Sequence, residues 1–255
     1  MKPRAISRRQ MLKGAAGAAG LAVLSGCDNL SRSDWLRNLF GHTEMLTERV
    51  QRLVTPSHAL AQEYPESEIS AVFPANGNSD PGTADYARMA EQHFADWRLT
   101  IDGLVGKPTA FSLDALRAMP SRTQITRHDC VEGWSAIGKW TGVPVGDLMH
   151  RVEPLPEASY AVFYCADLDD QGTAYYESMG RADLYHPQTI LAYELNGTSL
   201  DVAHGAPLRL RFERQLGYKH AKYVMRIELV RSLAGIGGGK GGYWEDQGYE
   251  WYAGI

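Results

Sequence analysis

The sequence predicts an α+β domain on a mixed, strand-rich sheet, preceded by a partly helical N-terminal arm. Strand-like segments recur from Trp97 onward, at 98–102, 123–127, 160–165, 189–195, 207–212 and 223–230. Loops and a few short helices separate them, so the pattern is not the regular strand–helix alternation of a parallel sheet. Asn196-Gly197, between two of these segments, is a strong turn signal.

The chain opens with Ser7-Arg8-Arg9-Gln10-Met11-Leu12-Lys13, followed by small and mildly apolar residues at 14–24. A basic front, a short apolar run and small residues before a cut site describe a secretory leader over residues 1–26. The paired arginines resemble a twin-arginine export signal, which is read by a receptor and is not an anchor. The apolar run is roughly 11 residues, short of the about 20 that span a bilayer. Leu24-Ser25-Gly26-Cys27 resembles a lipoprotein cleavage box, which makes Cys27 the lipidation candidate. Asp28 behind it fits retention at the inner membrane. The expected destination is periplasmic, anchored through Cys27.

Residues 1–26 contain five basic and no acidic residues, so their removal takes the formal charge from −4 to −9. An acidic body of this kind excludes nucleic acid as a partner, because phosphate neutralisation needs a basic face. It also argues against a body lying on anionic lipid.

Residues 27–95 read as a tether and arm. Thr43 is placed to cap a helix with Leu46, Val50, Leu53 and Val54 on one stripe, stopped by Pro56. Irregular chain follows through Pro65, Pro74 to Asn78, and Pro81-Gly82. Thr83 then caps a second helix that gathers Tyr86, Met89, Ala90, His93 and Phe94. Within the main domain, 96–255, a turn runs from Gly103 to Pro108, and Ser112 opens a short helix with Leu113, Leu116 and Met119. The glycine-rich run 235–242 is not a phosphate loop, since position 234 is alanine and no Ser/Thr follows Lys240. It reads as a flexible loop ahead of Tyr243-Trp244.

Chemistry concentrates in three segments. Arg127-His128-Asp129-Cys130-Val131-Glu132-Gly133-Trp134-Ser135 leaves a strand for a glycine-bearing loop. A thiol beside Arg127 and His128 is in a setting that favours the thiolate. Three roles stay open for Cys130 on local chemistry alone: buried and inert, metal ligand, or nucleophile. Zinc is disfavoured, because no Cys or His stands at the usual spacing. The other two segments are 204–211 and 217–223, which bring guanidinium, ammonium, imidazole and loosened backbone into a short stretch. Such a set suits an anionic, heteroaromatic cofactor.

The series His-x-Cys-Val-Glu-Gly-Trp-Ser, Leu191 to Gly197, His-Gly-Ala-Pro-Leu-Arg-Leu and Gly-Tyr-Lys-x-Ala-Lys resembles the sulfite-oxidase superfamily of molybdopterin oxidoreductases. The resemblance spans roughly 96–255 and is closest to small bacterial, twin-arginine-exported members, including catalytic subunits of periplasmic protein-methionine-sulfoxide reductases. It implies a molybdopterin-binding fold, one molybdopterin with mononuclear molybdenum, and Cys130 as the protein ligand to the metal. A thiolate suits such a metal. It also implies that His204, Arg209 and Lys222 hold the pterin and its phosphate, beside the backbone of His220-Ala221. Cys165 falls where some relatives place a threonine near the metal; the competing reading is a strand cysteine facing the core. Asn76 and Asn78 are candidates to reach the pterin from the arm.

Sulfite-oxidising relatives carry two arginines shortly after the metal cysteine, where this chain has Glu132-Gly133-Trp134-Ser135. A carboxylate there opposes sulfite. The resemblance therefore implies two-electron oxygen-atom transfer on S-oxides or a related oxidation. The spacing of Glu132, two residues from Cys130, makes it the candidate to order water or substrate. Without a haem-attachment motif, electrons are expected to come through a separate membrane cytochrome or quinone-linked partner. Two other readings remain: a metal-free thiol enzyme using Cys130 and His128, and a non-catalytic lipoprotein serving as a binding module.

Overall fold

The computed structural model describes residues 49–51, 53, 56 and 58–255. The leader, Cys27, Thr43, Leu46 and Val54 lie outside the described residues. Residues 49–51 and 53 are helical, and Leu53, expected on a buried stripe, is exposed.

Residues 52–255 form one compact unit. Two five-stranded sheets organise it. The first contains β1 (Arg98–Gly103), β2 (Thr109–Ser112), β5 (Tyr160–Leu168), β6 (Ala174–Gly180) and β10 (Val224–Val230), in the order β2-β1-β10-β5-β6. It is mixed: β1 runs parallel to β10, and the other pairs are antiparallel. The second is antiparallel and contains β3 (Arg122–Asp129), β4 (Ser135–Pro144), β7 (Thr189–Leu195), β8 (Thr198–Ser199) and β9 (Arg209–Phe212). The expected α+β class with a mixed sheet is what the chain adopts.

From residue 58 on, the described α-helices of the unit are α1 (Ala84–Glu91), α2 (Leu113–Arg117), α3 (Val145–Val152), α4 (Arg181–Leu184) and α5 (Tyr243–Asp246). Thr83 caps α1 by accepting from the Tyr86 amide, and Ser112 caps α2 by accepting from the Ala115 amide. The α1 helix is shorter than the periodicity suggests. It stops at Glu91, and His93 and Phe94 take left-handed φ of 52° and 58°. Phe94 nevertheless packs on Tyr86, with ring centroids 5.6 Å apart.

The principal core lies where β1, β5 and β10 meet α2, α3, β7 and β9, around Leu99, Ile101, Phe163, Ile227, Leu148, Leu191 and Leu210. A second cluster gathers Trp140, Ile190, Ala192 and Leu195 with Phe73 from the preceding segment. That segment is pinned to the sheet edge: the Tyr64 amide donates to Ile125, and the Ser70 amide to Ile137. Strand β4 is the element least visible in the sequence, because Gly138, Gly142 and Pro144 punctuate it. At Gly142 a Cβ would sit 2.2 Å from the Leu191 carbonyl, so the glycine permits a close approach at the bulge where β4 meets β7. The glycine-rich run is a folded loop. Gly238 and Lys240 donate their amides to Asp246, which also accepts from Tyr176 Oη.

Candidate active site

Strands β3 and β4 are joined by a tight loop, Cys130 to Trp134. It is closed by the Cys130 amide donating to Trp134 and the Gly133 amide donating to Cys130. This loop points Cys130, Val131 and Glu132 into a cavity of about 330 Å³. The other walls come from distant parts of the chain: Asn76 to Asn78, the β5 end at Asp167, Tyr175 of β6, Tyr218, His220 and Lys222 ahead of β10, and Tyr243, Trp244 and Tyr249. A cleft assembled from so many segments, with polar groups converging on one thiol, is the expected place for chemistry.

Cys130 is a half-buried free thiol, and burial raises its pKa; the Glu132 backbone amide and Arg209 oppose this, and the Glu132 carboxylate adds to it. The thiolate-favouring neighbourhood expected from Arg127 and His128 is not formed. Strand alternation turns the two side chains to opposite faces, and Arg127 spends its guanidinium on Asp129. His128 is buried, with Nδ1 accepting from Arg211 at 3.0 Å, and burial holds its pKa well below the usual range. Glu132 accepts from Trp134 Nε1 at 3.1 Å.

Two buried cations stand at the cavity, Lys222 in its wall and Arg209 behind Asn76. Arg209 donates to Asn76 Oδ1 at 2.7 Å and to the His204 carbonyl, and its guanidinium carbon stands 5.2 Å from the Trp140 ring centre. Lys222 donates to the carbonyls of Asn78 and Ala203. Neither makes a salt bridge among the described residues. Burial lowers Arg209 to about 9 and Lys222 to about 7, and the like charge on Arg211 and Arg209, respectively, adds to it. Arg209 Nε, His220 Nδ1 and Asp167 Oδ1 are buried without a hydrogen-bond partner among the described residues. Cations held out of water without counter-charge are costly unless an anion joins them. This donor set fits an anionic cofactor with hydrogen-bonding ring atoms.

Of the residues singled out in the sequence, Cys130, Glu132, His220 and Lys222 line the cavity. Arg209 reaches it through Asn76, and Ala221 is buried beside His220. His204 is set back, bonded through Nε2 to the Phe73 carbonyl and through Nδ1 to Asp201. Cys165 sits in the apolar core and is not part of the lining; its thiol donates to the Phe163 carbonyl at 3.9 Å. Asp167 escaped notice. Its Oδ2 accepts from Asn78 Nδ2 at 3.2 Å, and burial raises its pKa to about 6. The available signal was an acidic residue just past a run of strand-forming residues. The turn Gly217–Lys219 fits against β3 because it begins with glycine: a Cβ on Gly217 would stand 2.4 Å from His128 Nε2.

The chain is similar to several known proteins. Residues 86–234, more than half of the chain, match the family described as oxidoreductase molybdopterin-binding domain. The putative protein-methionine-sulfoxide reductase subunit YedZ1 of Azospira oryzae is 37% identical over 248 residues, covering 97% of this chain and 88% of the relative. The protein-methionine-sulfoxide reductase catalytic subunit MsrP of Ralstonia nicotianae is 31% identical over 237 residues, covering 88% and 68%. Among solved structures, the sulfane dehydrogenase SoxCD of Paracoccus pantotrophus matches 54% of this chain and 39% of its own, at 24% identity and a TM-score of 0.49.

Proposed function

The chain belongs to the molybdopterin-binding oxidoreductase family, and on that footing we propose that it reduces S-oxides, in particular methionine sulfoxide within polypeptides, outside the cytoplasm. As a member it is an oxidoreductase with Mo-molybdopterin as its cofactor. The relatives' names supply the substrate class, and the charge of the cavity is the observation that carries it here. Among the described residues that line it, Glu132, Asp167, Asp169 and Asp170 are acidic, Lys222 is the one lysine, assigned below to the cofactor, and none is arginine. An S-oxide is neutral and dipolar, so it meets no repulsion there, whereas sulfite would.

In this reading Cys130 is the thiolate ligand of the metal, and Arg209, Lys222, His204 and the backbone of His220-Ala221 hold the pterin and its phosphate. The bound group supplies oxygen-atom transfer with a two-electron change. The chain's own residues do the rest. Lys222 and Arg209 neutralise the anion, and its charge in turn favours their protonated forms. Glu132, two residues from Cys130 and steadied by Trp134, orders water or substrate at the cavity. S-oxide reduction also consumes two protons and releases water. Asp167, its pKa raised by burial, holds a proton to higher pH than an ordinary carboxyl. Export by Arg8-Arg9, anchoring through Cys27, and electrons from a membrane cytochrome or quinone-linked subunit complete the proposal.

The test is metal and pterin analysis of protein made in a molybdate-replete host, with a dye-linked panel of sulfite, S-oxides, N-oxides and oxidised protein. Stoichiometric molybdenum, lost in Cys130→Ala, with turnover of S-oxides over sulfite is expected. Folded native protein without metal, or sulfite as the sole substrate, overturns the reading.

A further inference from the structure

The described surface has ten large, exposed apolar side chains, and four of them, Val131, Leu168, Trp244 and Tyr249, line the mouth of the Cys130 cavity. Scattered single apolar residues are ordinary; convergence around one opening marks a place where something apolar docks. The aromatic members are not independent. Tyr218, Tyr249, Trp244, Tyr243 and Tyr175 form an unbroken arc, with successive ring centroids 5.1, 5.3, 5.3 and 5.6 Å apart. All five line the cavity.

The arc is held firmly from behind. Tyr175 Oη donates to the Tyr218 carbonyl at 2.5 Å, Tyr218 Oη to the Glu250 carbonyl at 2.6 Å, and Tyr243 Oη to Asp169 Oδ2 at 2.9 Å. A free amino acid, or an S-oxide of a few atoms, has no need of so broad a rim. A polypeptide does: its flanking residues must lie against the surface while one side chain enters the cavity.

We propose that Trp244 and Tyr249, with Val131 and Leu168, are specificity-determining residues that seat the polypeptide on either side of the oxidised side chain, and that Asp169, Asp170 and Glu132 bias this seat toward basic or uncharged flanking residues. This rests on the S-oxide reading and adds to it the surface and the sequence preference. Aromatic rings present faces to thioether and sulfoxide groups and to lysine or arginine stems. Around the mouth Asp170 and Glu132 are exposed, and backbone amides hold Asp169 in its charged form. The one lysine of the described lining, Lys222, lies deeper, tied to Asn78 and Ala203, and burial keeps His220 beside it neutral. The rim is thus acidic while the floor is cationic.

The experiment uses holoenzyme and three substrates: dimethyl sulfoxide and two labelled peptides carrying one methionine sulfoxide, flanked by lysines in one and by glutamates in the other. The lysine peptide is expected to bind at least about tenfold more tightly by fluorescence anisotropy, the scale of one removed rim contact, with the preference shrinking at high salt. Trp244→Ala and Tyr249→Ala are expected to lower kcat/KM for the lysine peptide about tenfold more than for dimethyl sulfoxide, chiefly through KM, and Trp244→Phe to restore most of it. Equal losses on peptide and dimethyl sulfoxide, or no flank preference, overturn the proposal. A wild type that turns over no S-oxide overturns the functional reading instead, while anisotropy still reports the surface.

Discussion

At the scale of single residues, Asp167 concentrates the cost of building this cavity. Its carboxyl is buried, one oxygen is held by Asn78 and the other has no partner among the described residues. The folded pKa, about 6, lies above the ordinary 3.8. Between those values the unfolded chain has released a proton that the folded chain still holds, so this group's contribution to stability falls as pH rises from about 4 to 6. Asp167→Asn keeps an acceptor for Asn78 and removes the charge. It is expected to raise stability at pH 7 by about 1–3 kcal/mol, with little gain at pH 4, as read by denaturant melts across that range. The sequence made Cys130, Glu132, His220 and Lys222 legible because they sit in dense motifs of reactive types. It hid Asp167, whose importance comes from burial and not from its neighbours. It also misled at His128, where a reactive type near Cys130 turns out to be buried and bonded to Arg211.

At the scale of elements, one buried knot ties together the three segments that carry the aromatic arc. Lys219, in the turn Gly217–Lys219, donates to both Glu177 of β6 and Glu245 of α5, with all three side chains out of water. Burial pushes Glu177 well up against the pull of Lys219. Removing the ammonium would leave two carboxylates facing each other in the interior. Lys219→Met is therefore expected to cost about 3–5 kcal/mol, and hydrogen exchange should show residues 243–255 losing protection before the sheets do. Uniform loss of protection would mean that the knot serves the whole domain. Helix starts were readable through Thr83 and Ser112, because a capping side chain acts locally. Strand β4 and the end of α1 were not, because the Gly142 approach to Leu191 and the left-handed turn at His93 and Phe94 are set by tertiary packing.

At the scale of the molecule, the sheets place every wall of the cavity at one end of β3, β5 and β10, with the acidic rim outward. Among the described residues no helix is long and apolar enough to cross a membrane. Attachment in the proposed function rests on Cys27 alone. Cys27→Ser should move the protein from the membrane fraction to the soluble periplasmic fraction with its dye-linked activity intact. Protein that stays with the membrane would assign attachment to a partner.

The parallel pairing of β1 with β10 has a consequence in time. β10 is the middle strand of the first sheet, yet it is the last strand to be made. During synthesis β1 with β2, and β5 with β6, emerge on opposite sides of an empty lane, and the two pairs are not joined until Val224–Val230 leaves the ribosome. The turn that seats on His128, Lys222, and the tail bearing Tyr243, Trp244 and Tyr249 arrive in the same late interval. A nascent chain therefore displays Cys130 on a hairpin with no pocket around it. Under the proposed function, the residues that hold the cofactor are complete only once residues 217–249 have emerged, and export of the leader before then would carry away an open shell.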